Sequence, residues 1–205
     1  VIVRSDDPAP EGVAKKIALF GGVPEKQVQL MPNVDTVFRI PSSVASNGLN
    51  ELLSAFTGVT KKPNLDKWDD IIARQNAMPV KRVTVGLVAK YMDNEDTYIS
   101  VLEALKAAAW NLKSGLNIKW INAEGATDED FDKVDALLVP GGFGTRGAEG
   151  KIAAARYALE YDIPYLGICL GLQSAVIAAA RLGGLEKANS AEFDPDTSEN
   201  VVYIM

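Results

Sequence analysis

The sequence has no histidine and one cysteine, Cys169, in 205 residues. The first absence removes the side chain that most often serves as a general base near neutral pH. The second excludes an internal disulfide framework. No apolar run approaches the roughly 18 residues needed to cross a bilayer, and no secretory leader is visible, so a reducing cytoplasm is the expected compartment. Basic charge is also in short supply. With 21 Lys and Arg against 27 Asp and Glu, the net charge is -6, which argues against a general nucleic-acid or anionic-membrane surface and leaves only local anion sites open. The chain opens at Val1 and closes on Val201-Val202-Tyr203-Ile204-Met205, both strand-like, so it is expected to be part of a longer protein.

What remains is 47% hydrophobic, enough for one good core or one and a half. The texture changes twice. In residues 1–58 the pattern predicts a strand end at 1–3, then a polar capping turn and a helix over 11–20 with Val13, Ile17 and Phe20 inward. Short strands near 28–31 and 36–40 and a helix over 43–56 complete this block, which carries too little core to be a whole domain. Residues 59–82 read as a linker whose helix sets Trp68, Ile71 and Ile72 on one face. From 83 to 205 strands and helices alternate: strands at 83–88, 118–121, 136–139 and 164–168, helices at 95–109, 128–132, 150–160 and 170–181. The 83–88 run is almost wholly apolar, as in a central parallel strand. Such alternation predicts an α/β doubly wound, mostly parallel sheet, with ligands at the carboxyl ends of its strands.

One stretch stands out at such an end. Gly167-Ile168-Cys169-Leu170-Gly171 sits between a strand and a helix, the arrangement of the hydrolase elbow G-x-S-x-G with sulfur replacing oxygen. Glycines are needed there because the turn is too sharp for neighbouring side chains. The helix that follows aims free amides and its positive dipole end at Cys169, favouring the thiolate, and the Leu170 amide can help hold an oxyanion. Its buried face is predicted at Leu172, Ala175, Val176 and Ala179.

A glycine loop, Pro140-Gly141-Gly142-Phe143-Gly144-Thr145-Arg146-Gly147, follows an earlier strand. Formally it contains the dinucleotide fingerprint, but no acidic residue ends the next strand to hold a ribose, so that reading fails. Gly142 could instead supply a second oxyanion donor, or the loop could be an ordinary tight connection. The charged group Arg146, Glu149 and Lys151 beside it reads as a solvated surface turn.

Residues 139–151, 164–173 and 188–195 together closely resemble the class I glutaminase domain of the CTP synthases, a flavodoxin-like fold. Val85-Gly86-Leu87-Val88-Ala89-Lys90-Tyr91 is similar to the start of that domain, with Ala89 in place of a usual glycine. Arg4-Ser5-Asp6, residues 16–20 and Val34-Asp35 resemble the end of the family's synthetase (amidoligase) domain. The resemblance implies glutamine hydrolysis at Cys169 and ATP-dependent amination of UTP to CTP with the ammonia released. It implies Gly142 and Leu170 as the oxyanion hole, and Phe143, Gln173 and Glu192 beside the glutamine. Arg146 and Gly150 fall in the loop the family associates with activation by GTP, and Arg4, Lys16 and Val34 match nucleotide-site positions. Asn33 stands where the family usually has aspartate. The family's magnesium ligands, phosphate loop and catalytic His and Glu would lie outside this chain, which alone should not turn over. A homotetramer, or filaments, would be the family's assembly. Other expectations are a different class I glutamine amidotransferase, a structural homologue lacking its base, or a cysteine peptidase.

Overall fold

The structure is a computed structural model and describes residues 1–92 and 95–203. The chain divides into two units, Val1–Ala77 and Met78–Met205.

In the first unit β1 (Ile2–Ser5) pairs in parallel with β2 (Gln29–Pro32), and α1 (Val13–Gly21) connects them. Gly22, left-handed at φ 62°, ends α1 by donating its amide to the Ala18 carbonyl. Phe20, expected to face inward, is 81% exposed; Ala18 is the buried residue of that helix. Residues 36–40 are not a strand. Thr36 Oγ1 accepts the Phe38 amide and starts a 3-10 turn, Val37–Arg39, which runs into α2 (Ile40–Ser46) with Pro41 in its first turn. Proline there loses no helical hydrogen bond. The single helix expected over 43–56 is two, because left-handed Gly48 (φ 77°) separates α2 from α3 (Leu49–Thr57). α4 (Asp66–Asn76) packs on the Val37–Arg39 turn, with Trp68 and Phe38 ring centroids 6.4 Å apart.

The second unit is built on four parallel strands in the order β4-β3-β5-β6. These are β3 (Lys81–Ala89), β4 (Ser114–Asn122), β5 (Ala136–Val139) and β6 (Tyr165–Gly167). Residues 85–89 of β3 are buried without interruption, because helices cover both faces. On one face Val88, Ile121, Phe131, Leu137 and Val139 pack with Ala154 and Ala158 of α6 (Ala148–Glu160). On the other, Val85, Leu87, Ala89 and Leu138 pack with Tyr98 and, from α5 (Ile99–Asn111), Val101, Leu102 and Leu105. Each large apolar side chain so buried contributes roughly 1.5–3 kcal/mol, so the sheet centre is the stable part of the unit. This is the doubly wound α/β arrangement. The strand order reverses between β3 and β5, which puts a crevice at their carboxyl ends.

α7 (Leu170–Leu182) buries a different face from the one its large apolar residues predict. Gly171, Ser174, Ile177 and Ala178 face inward, while Leu172 is 60% exposed. The face is set where α7 comes closest to β5, at Gly171, which has no room for any side chain: a Cβ there would fall 1.9 Å from the Val139 carbonyl oxygen. A short pair, β7 (Asn189–Ser190) with β8 (Asn200–Val202), follows. Only β8 falls in the expected terminal strand, whose Ile204 and Met205 lie outside the described residues.

Candidate active site

Cys169 occupies the bend between β6 and α7 at φ 53°, ψ -111°. A non-glycine residue seldom adopts this conformation, and such strain persists only where the surroundings impose it. Here the glycines impose it. A Cβ on Gly167 would meet Gly171 backbone at 2.5 Å, and Gly171 is itself pressed on Val139. The bend leaves Cys169 exposed, at the N-cap of α7, where the helix dipole favours an anion.

The glycine loop between β5 and α6 passes directly beside the thiol, since a Cβ on Gly141 would lie 3.3 Å from the Cys169 Cβ. Gly142 has φ 139°, open to glycine alone. Among the described residues, neither the Gly142 amide nor the Leu170 amide donates to a protein acceptor. Two free N–H groups beside an exposed thiol are what an oxyanion hole needs.

Under the loop lie two lysines. Lys151, on α6, is wholly buried, and its Nζ donates to the Pro140 carbonyl at 2.8 Å and the Gly141 carbonyl at 3.1 Å. It does not belong to a solvated turn. Burial pushes its pKa down to about 8, the Lys90 charge acts in the same direction, and Cys169 opposes them. Lys90, at the end of β3, is buried too, and its Nζ donates to the Phe143 carbonyl. Its backbone amide donates to the Tyr98 hydroxyl at 3.1 Å.

The far side of the loop meets the 188–195 motif. Glu192 Oε1 accepts the Gly144 amide at 2.8 Å, and the Glu192 amide donates to Ser190 Oγ at 3.1 Å. Gln173, Ser190, Glu192, Asn200 and Tyr203 line a cleft of about 870 Å³. Cys169, Gly142 and Leu170 thus meet at the strand ends, while Gln173 and Glu192 share the cleft. The Phe143 side chain projects into solvent, 83% exposed.

Arg146 and Gly150 part company. Arg146 is exposed on the loop, donates to the Lys90 carbonyl at 3.1 Å, pairs with Glu124 at 3.4 Å and lies over the Tyr91 ring. Gly150 is not in the loop; it is buried in the first turn of α6, where a Cβ would fall 1.9 Å from the Ala123 carbonyl oxygen. In the first unit Arg4 Nη2 donates to Asn33 Oδ1 at 2.7 Å, and Asn33 Nδ2 donates to Asp6 at 2.9 Å. This chain sits at the carboxyl ends of β1 and β2, next to Val34, while Lys16 is exposed on α1. Among the described residues, no group of three His, Cys, Asp or Glu could hold a metal.

Lys90 and Ser190 are site residues to which the sequence pattern gives no role, and Lys151 is one that it assigns to a surface turn. Lysine after an apolar strand, and lysine leading the alanine-rich run 152–155, were the available signals.

Residues 94–202, more than half of the chain, match the family described as glutamine amidotransferase class-I. The chain belongs to the class I glutamine amidotransferases. It is similar to a solved structure of the Trypanosoma brucei CTP synthase glutaminase domain with bound acivicin, at 38% identity and a TM-score of 0.57. The similarity covers 60% of this chain and 50% of that one, so the chain spans about half the length of the structure it matches. No helix among the described residues is long and apolar enough to cross a membrane.

Proposed function

We propose that the chain carries the glutaminase centre of a CTP synthase. The observation that carries this reading is the exposed Cys169 at positive φ, with the Gly142 and Leu170 amides beside it, neither of which donates to an acceptor among the described residues. The Cys169 thiolate attacks the side-chain amide carbon of glutamine. The oxygen that takes up the negative charge is held by the two amides, in geometry set before the reaction starts. Collapse breaks the C–N bond, the thiol proton leaves with the amine as ammonia, and a γ-glutamyl thioester stays on Cys169. Water then cleaves the thioester to glutamate. The base that moves these protons is not a histidine of this chain and is supplied from outside these residues. The Glu192 carboxylate complements the α-ammonium group of glutamine, and Gln173 lies across the same cleft.

The ammonia aminates UTP that ATP has activated, with ATP and magnesium held mainly outside this chain. Arg4, tied to Asn33, offers a cation and an amide at the ends of two parallel strands, a donor set that suits a nucleotide. Lys16 and Val34 complete the proposed nucleotide contacts. Arg146 is the proposed contact for GTP as activator; Gly150 serves that loop by letting α6 approach Ala123. A homotetramer is the proposed assembly.

The test uses the full-length protein with UTP, ATP, magnesium and glutamine isotopically labelled in its amide nitrogen. The label is expected in CTP. Label in a different acceptor would assign the chain to another amidotransferase, and no release from glutamine would remove the reading.

A further inference from the structure

Lys151 is expensive for the fold to keep. An ammonium removed from water is strongly disfavoured unless it is paired, and among the described residues no carboxylate pairs with it. Its partners are two successive backbone carbonyls, those of Pro140 and Gly141. An unbranched apolar side chain would fill the same space at the start of α6 without that cost.

What the ammonium does follows from the planar trans peptide. The Gly141 carbonyl and the Gly142 N–H belong to one rigid unit and point in opposite directions. Holding the carbonyl down on Lys151 therefore turns the Gly142 N–H away from the protein interior. The next-but-one peptide behaves the same way: the Phe143 carbonyl is held by Lys90 Nζ, and the Gly144 N–H of that unit points outward to Glu192. Between two glycines, neither of them held by a side chain of its own, this peptide could otherwise rotate.

We infer that Lys151 is a positioning residue for the oxyanion hole, fixing the Gly141 carbonyl so that the Gly142 amide stays turned outward to receive a developing oxyanion. The inference rests on the glutaminase reading of Cys169 and adds to it the group that presets one donor.

The test compares two reactions of Cys169 in the full-length protein and its Lys151→Met variant. Glutamine hydrolysis passes through an oxyanion; alkylation by iodoacetamide, a direct displacement, does not. Losing one oxyanion donor costs about 10²–10³ in kcat. Lys151→Met is therefore expected to lower kcat for hydrolysis by about 10²-fold. The KM for glutamine and the plateau rate of alkylation, read above the thiol titration, should each stay within about threefold. A variant that merely loosens the fold would move all three together, and that outcome overturns the inference. So does an unchanged kcat. If Lys151→Met does not fold, Lys151→Gln, one atom shorter and without the charge that strengthens both hydrogen bonds, should lower the ratio of hydrolysis to alkylation by at least about fivefold; an unchanged ratio overturns the inference. Wild-type protein that neither hydrolyses glutamine nor alkylates at Cys169 would instead sink the glutaminase reading itself.

Discussion

The Glu192 carboxylate accepts the Gly144 amide at 2.8 Å across 48 residues of sequence, joining the glycine loop to the 188–195 motif. The same carboxylate lines the cleft that Gln173 enters from α7. Glu192→Gln keeps an acceptor for Gly144 but removes the charge that would meet an α-ammonium group. A charged hydrogen bond contributes about 1.5–3 kcal/mol, so KM for glutamine should rise roughly 10- to 100-fold with kcat little changed. Steady-state hydrolysis kinetics check this; a fall in kcat at constant KM would contradict it.

Gly150 and Gly171 of the second unit have no room for a methyl group. Gly150→Ala would set a Cβ 1.9 Å from the Ala123 oxygen, and Gly171→Ala would do the same at Val139. Both contacts are with backbone, which cannot swing aside, so each substitution should cost more than the usual 1–3 kcal/mol, roughly, of overpacking. Thermal unfolding is expected to drop by at least about 5 °C. Gly144→Ala meets open space but has φ 82°, so it should cost only about 1–2 kcal/mol of backbone strain.

Lys151 also gives the fold a pH dependence. Its pKa is about 8 in the fold against 10.5 as the ordinary value, so between those values the unfolded chain binds more protons and stability rises with pH. The cost of the buried charge is fully present below about pH 8, where it amounts to about 3 kcal/mol, and it disappears as Lys151 deprotonates. Denaturant unfolding of wild type and Lys151→Met should therefore diverge in favour of wild type by about 2 kcal/mol between roughly pH 7.5 and pH 10. Tyr165, whose hydroxyl donates to the Gly171 carbonyl at 2.7 Å and whose pKa burial raises, opposes this only above its ordinary value of 10.0. A parallel pair of curves below that pH would contradict the burial of a charged Lys151.

The elbow was legible in the sequence because its physics is local: a sharp bend requires glycines, and Gly167 and Gly171 bracket Cys169. The sheet was legible for the same reason, since the uninterrupted apolar run of β3 follows from burial on both faces. Residues 36–40 misled because their apolar pattern also suits a 3-10 turn, and the Thr36 cap settled the matter. The inward face of α7 misled because contact distance, not side-chain size, set Gly171 against β5, and the face that follows from it runs through Ser174, Ile177 and Ala178. Lys151 was read as surface because lysine almost always is. Only its position under two loop carbonyls, those of Pro140 and Gly141, explains the exception.

The most direct measurement maps the adduct formed when the full-length protein meets a glutamine-analogue electrophile such as a diazo-ketone. One adduct is expected, on Cys169, forming more slowly when glutamine is added and absent in Cys169→Ala, which should also lose glutamine hydrolysis. Hydrolysis that continues at wild-type rate in Cys169→Ala, or an adduct that glutamine leaves untouched, would contradict Cys169 as the nucleophile.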